Sequence, residues 1–135
     1  PKLHLFGQLK RIVKEWLDAV DEAGMPKYLV CKVDAYPALL MDEEDRAHFR
    51  NVEKAVRLSR YGGDCYAYCM VAAGHVDLVI ETGIKPYDIA ALIPIVTGAG
   101  GMVTTWEGEP AQHGGRIIAA GDRRAHEAAM RLLAE

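Results

Sequence analysis

At 135 residues with 50% hydrophobic content, the chain has the length of one ordinary domain and enough apolar material for a packed core. A formal net charge of -3 and a sequence pI near 6.0 provide no electrostatic footprint for nucleic acid or for an anionic membrane surface. No apolar run approaches the roughly 20 residues of a membrane span and no signal-peptide pattern opens the chain, so a cytoplasmic location is expected. The three cysteines, Cys31, Cys65 and Cys69, are odd in number and scattered, which suits a reducing compartment rather than a disulfide framework. A start at Pro1 rather than methionine reads as a processed or truncated piece.

Taken in chain order, Phe6, Leu9, Ile12, Val13, Trp16, Leu17 and Val20 follow a 3.6-residue period and predict an amphipathic helix over residues 5–23, stopped by Gly24 and Pro26. Residues 28–31 form a short apolar segment, read as a strand. A helix is predicted over about 42–59, with Asp42, Glu43, Glu44 and Asp45 in the first turn and Arg57 and Arg60 near the other end, as the helix dipole favours. Beyond Gly62-Gly63 the units shorten: a helix over 65–73, a strand over 76–80, a helix over 88–96, strands over 102–105 and 116–119, and a helix over 122–133. Gly98-Ala99-Gly100-Gly101 and Glu107-Gly108-Glu109-Pro110 supply turns. Alternating strands and helices of this length predict an α/β fold, a layered mixed sheet with flanking helices. Residues 1–40, an amphipathic helix and short strand of unclear origin, are expected to pack onto the domain of residues 41–135.

Three carboxylates stand at predicted element ends. Asp64 follows two glycines and Asp88 follows Pro86, each before an apolar run, so both read as helix N-caps; Glu81 closes an apolar strand. The bland readings are that the aspartates only cap and that Glu81 is solvated. Cys65 and Cys69 lie four apart and read as core packing, because no second Cys or His pair matches them as metal ligands. His75 reads as exposed in a turn, and His4, His48, His113 and His126 show no ligand spacing. The glycines of residues 98–101 read as a helix C-cap and turn rather than a phosphate cradle.

The block Lys85-Pro86-Tyr87-Asp88-Ile89-Ala90-Ala91 through Gly98-Ala99-Gly100-Gly101 resembles the second signature of the inositol monophosphatase superfamily, a Trp-Asp followed by small residues and an Ala-Gly-Gly turn. Tyr87 stands where tryptophan is usual, and Thr97-Gly98 where a glutamate commonly precedes the turn. The run Arg60-Tyr61-Gly62-Gly63-Asp64-Cys65-Tyr66 and the Lys-Pro-Tyr-Asp form resemble the histidinol-phosphatase branch. The resemblance runs from about residue 42 to the C-terminus and implies the C-terminal half of an α/β/α/β/α sandwich and a magnesium-dependent phosphomonoesterase. It implies that Asp88 ligates a catalytic Mg2+ from a helix N-terminus. Asp64, with the backbone of Gly62 and Gly63, would contact the organic part of the substrate, and Glu81 would bind a substrate hydroxyl or amine. The implied substrate is a small phosphorylated metabolite, histidinol phosphate or inositol monophosphate; with the former, Asp64 and Glu81 face the amine and imidazole.

The superfamily's first signature, a Glu-Glu pair on a helix followed by Asp-Pro-x-Asp-Gly-Thr, is not present, and no Asp-Gly dipeptide occurs. Asp88 alone cannot hold several magnesium ions, so the chain is expected to be the substrate-recognition half of an active site, inactive alone. It would pair as a homodimer or with a complementary catalytic half. The alternative is a non-catalytic domain of phosphatase ancestry serving as a structural or interaction module. Residues 5–13, with Trp16-Leu17-Asp18 and Tyr36-Pro37-Ala38, faintly resemble a segment of helicase-type restriction subunits, but no glycine-lysine nucleotide motif accompanies them.

Overall fold

The computed structural model describes residues 42–135. The helix and strand expected within residues 5–31, and the packing of that helix on the domain, lie outside the described residues.

Helix α1, Glu43–Ala55, starts where expected: the Asp42 carboxylate accepts a hydrogen bond from the Asp45 N–H at 2.8 Å, and three acidic residues occupy the first turn. It buries Asp45, Phe49 and Val52, one stripe at helical spacing. The helix ends before residue 59 because Val56 turns to extended backbone and packs against the core. Helix α2, Asp64–Ala73, buries Ala67, Tyr68 and Val71, and is closed by Gly74 in the left-handed conformation.

Strand β1, Leu78–Ile84, follows. The helix expected over 88–96 is two pieces, α3 at Pro86–Ile89 and α4 at Leu92–Gly98. Pro94 is the reason: it has no N–H to give the carbonyl of Ala90, and it is tolerated only in the first turn of a helix that restarts at Leu92. Strand β2, Met102–Thr105, a 3-10 turn at Ala111–His113 and strand β3, Gly115–Ala120, precede helix α5, Arg123–Leu133. Asp122 caps α5 by accepting from the Arg124 N–H at 2.8 Å.

The three strands form one sheet in the order β1-β3-β2, with both pairings antiparallel. Leu78 to Glu81 are buried without interruption, as are Ile117 to Ala120, because helices cover both faces. Side-chain alternation sorts the strand residues. Leu78, Ile80, Ile118 and Ala120 meet Phe49 and Val52 of α1 and Ala129 and Leu133 of α5. Val79, Ile117 and Ala119 meet Tyr68 and Val71 of α2 and Leu92 and Val96 of α4. Full burial of each such aliphatic side chain contributes about 1.5–3 kcal/mol. The result is a helix–sheet–helix sandwich. The Asp45 carboxylate, buried on α1, receives the Arg116 guanidinium of β3 at 2.8 Å, and Arg116 also pairs with Glu107 and lies over the Trp106 ring at 5.5 Å. No helix among the described residues is long and apolar enough to cross a membrane.

Candidate active site

The parity that fills the core also places Glu81. It is two residues beyond Val79 on β1 and faces Ile117 across the ladder, so it points to the α2/α4 side of the sheet. Immediately after it the register slips between Glu81 and Ile84, and Gly83 takes a positive φ of 71°. This irregularity interrupts the pairing, which resumes at Ile84 opposite Gly115 just before the chain reaches Lys85 and α3; such interruptions recur beside functional sites.

Glu81 is therefore not a solvated strand end but a buried carboxylate, 3% exposed. Its Oε2 accepts a hydrogen bond from the Tyr68 hydroxyl at 2.5 Å. Tyr68 is itself 1% exposed. Burial, then the charge of Glu81, the hydrogen bond to it and the charge of Asp88 all push the Tyr68 phenol far above its ordinary value, so it stays protonated and donates.

Neither aspartate is a helix N-cap. Asp88 sits inside the first turn of α3, with Lys85 at the cap position, and its Oδ2 accepts from the Lys85 backbone N–H at 3.1 Å. The proline of Lys-Pro-Tyr-Asp starts the helix two residues earlier than expected, since its fixed φ suits the first helical position. Asp64 follows Gly63, the residue at the cap, and is itself the first residue of α2. Among the described residues it alone of the non-glycines has a positive φ, 43°. Such backbone costs about 1–3 kcal/mol and persists where the surroundings over-determine it, commonly at functional positions.

Asp64, Glu81 and Asp88 line one cleft of about 350 Å³, together with Cys65, Tyr68, Ile84, Ile89 and Leu92. The three sequence candidates are thus brought to one place on one side of the sheet, Asp64 and Asp88 from the first turns of α2 and α3, and Glu81 from the middle of β1 rather than from its end, because the strand runs on to Ile84. Gly62 and Gly63 are not in the lining; they form the approach to α2, Gly62 with a φ of 76° that L side chains rarely adopt. Cys65 and Cys69 are exposed rather than core, because α2 buries its opposite face, Ala67, Tyr68 and Val71, against the sheet. Sequence reading passed over Tyr68. Its signal was its position four residues after Asp64, which puts both on one helix face.

A profile of the inositol monophosphatase family matches residues 39–135, more than half of the chain. The chain belongs to the inositol monophosphatase family. It is 42% identical over 106 residues to the bifunctional phosphatase IMPL2 of Arabidopsis thaliana, covering 72% of this chain and 30% of that protein. It is 38% identical over 74 residues to the histidinol-phosphatase of Mycobacterium tuberculosis, covering 55% of this chain and 28% of that one. Among solved structures, an inositol monophosphatase from Zymomonas mobilis superposes with a TM-score of 0.72 at 37% identity, covering 80% of this chain and 43% of the other. The chain thus spans about 30% of the length of the curated relatives it matches. The family fold is therefore shared over the C-terminal half of the sandwich.

The donor set bears on metal binding. Among the described residues, no three His, Cys, Asp or Glu side chains are grouped so as to hold a metal ion. Mg2+ requires near-octahedral oxygen coordination, and of the cleft carboxylates Glu81 is bonded to Tyr68 within the protein. Asp88, exposed at the rim, offers one anionic ligand. The described residues therefore do not by themselves complete a magnesium site.

Proposed function

We propose that this chain is the substrate-recognition part of a magnesium-dependent phosphomonoesterase acting on a small phosphorylated metabolite. The observation that carries the reading is the convergence of Asp64, Glu81 and Asp88 on one cleft. A cleft with three carboxylates repels a bare phosphate ester unless cations accompany it. Asp64 and Glu81 suit a cationic organic group, while Ile84, Ile89 and Leu92 offer apolar contact to its carbon skeleton. This favours histidinol phosphate, with its amine and imidazole, over the neutral ring of inositol monophosphate, and agrees with the Arg-Tyr-Gly-Gly-Asp-Cys-Tyr run. Asp88 is assigned as one ligand of Mg2+, whose remaining ligands come from residues other than those described. Gly62 and Gly63 give the backbone freedom for close approach beside Asp64.

Self-association, or pairing with a complementary catalytic half, is part of the same reading. Strands β1 and β2 are the two edges of the described sheet, and Tyr66 and Tyr87 are exposed aromatic surface.

The test is phosphate release from histidinol phosphate and from inositol monophosphate, with and without magnesium. The chain is assayed alone and with a second polypeptide bearing Glu-Glu and Asp-Pro-x-Asp-Gly-Thr. Expected are little turnover alone, magnesium-dependent turnover of histidinol phosphate when the second polypeptide is supplied, and loss of most of that turnover in Asp88→Asn. Robust hydrolysis by the chain alone would refute the assignment of the site. The absence of a metal-holding group among the described residues favours a second reading, a non-catalytic interaction module. No turnover of either ester in any combination would select it.

A further inference from the structure

A carboxylate in the middle of a buried sheet face is costly unless hydrogen bonds and charges compensate. Glu81 occupies such a place, 3% exposed between Ile80 and Thr82, on the face shared with Val79 and Ile117. Directly across from it α2 presents Tyr68, whose ring is packed into the apolar cluster of that face and whose hydroxyl lies 2.5 Å from Glu81 Oε2. The same helix carries Asp64 one turn earlier, so a single rigid element brings an exposed carboxylate and a buried donor into the cleft. Tyr68 is 1% exposed, and its hydroxyl donates to the carboxylate.

We infer that Tyr68 is a positioning residue that fixes the Glu81 carboxylate in the cleft, so that the site selects an organic cation over a neutral polyol. The inference rests on the proposed reading of the cleft as an amine-binding site. A carboxylate held by a buried hydrogen bond keeps its charge at a set place, and the ordering cost is met before ligand arrives. An ammonium or imidazolium gains a charge-assisted hydrogen bond there, whereas a polyol hydroxyl gains an ordinary one. Phenylalanine at residue 68 keeps the ring and its packing but removes the donor. Glu81 then loses a restraint that only a ligand depending on its charge and position registers.

The experiment uses the whole 135-residue chain and two phosphate-free, metal-free probes, L-histidinol and myo-inositol, titrated by amide chemical shifts. The wild type is expected to prefer L-histidinol. Tyr68→Phe is expected to weaken L-histidinol about tenfold, and to change myo-inositol by no more than about twofold. Glu81→Gln should lose the preference, and the double variant Tyr68→Phe/Glu81→Gln should be no weaker than Glu81→Gln alone, because Tyr68 acts through Glu81. Additive losses in the double variant would instead mark a generalised structural effect and overturn the inference. Should Phe unfold the chain, Glu81→Asp in the native Tyr68 background keeps the charge but draws it away from the phenol. It is expected to lose the preference, and retention overturns the inference. Equal selection by wild type and Tyr68→Phe also overturns it while leaving the amine site standing. Absence of selection in the wild type overturns both.

Discussion

Two glycines of the Gly98-Ala99-Gly100-Gly101 turn should respond to the same substitution with opposite signs. A Cβ on Gly101 would lie 2.6 Å from the backbone oxygen of Ala120 and 2.8 Å from Val96 Cγ1. Neither neighbour is a loose side-chain end. Ala120 is paired with Leu78 on one side and Met102 on the other, so moving its carbonyl disturbs both ladders at once. Ordinary contact begins near 3.4 Å, which leaves several tenths of an ångström to be found in a packed junction. Overpacking of this kind costs about 1–3 kcal/mol. For a domain of this size each kcal/mol moves the midpoint by roughly 4–8 °C, so Gly101→Ala is expected to melt at least about 4 °C lower. Gly98, the last residue of α4, has open space where its Cβ would be. Gly98→Ala removes backbone freedom from the unfolded chain and should raise stability by about 0.5 kcal/mol, at the low end for a helix terminus. Thermal unfolding followed by far-ultraviolet circular dichroism reads both. A Gly101→Ala midpoint at or above the wild type would refute the packing argument and return this turn to consideration as a ligand cradle.

Arg116→Met keeps the aliphatic stem but removes the guanidinium from Asp45, Glu107 and the Trp106 ring. Allowing for solvent screening of a side chain 41% exposed, the loss should be about 1–2 kcal/mol in urea unfolding, with Arg116→Lys recovering only part because it lacks the planar fork. A change below about 0.3 kcal/mol would show the cluster to be incidental. His126 is buried with its Nε2 2.8 Å from Thr104 Oγ1; burial first, and Arg123 second, lower its pKa against the opposing pull of Glu127. A folded value below the unfolded one of about 6.5 gives a contribution present above that pH and lost as pH falls through the folded value. His126→Gln should therefore flatten the fall in melting temperature on acidification below about pH 6.5, and an unchanged slope would count against it. Finally, Cys65 lines the cleft and Cys69 does not, although both are exposed. L-histidinol should slow alkylation of Cys65, read by peptide mass spectrometry, and leave Cys69 unaffected; equal protection would place the ligand elsewhere.

The local signals in the sequence were reliable where the chemistry is local. Asp42 and Asp122 cap α1 and α5 through their own side chains, within three residues of the donors they satisfy, and β2 keeps its expected bounds, a short run rich in β-branched residues between Gly101 and the Glu107-Gly108 turn. The same logic misplaced Asp64 and Asp88, because Pro86 started its helix early and Gly63 turned the chain before Asp64. It also joined α3 to α4 across Pro94.

By itself the sequence determined that Asp64 and Asp88 stand where helices of an α/β layer begin and which family their flanking residues resemble. Only the tertiary structure decided that Glu81 is buried, that Cys65 and Cys69 are exposed, and that Tyr68 meets Glu81. The physical reason is that caps and periodicity are settled within a turn of chain, whereas burial depends on which face a second element covers. Tyr68 and Glu81 are 13 residues apart and belong to different elements, so their contact exists only once α2 is laid across the sheet.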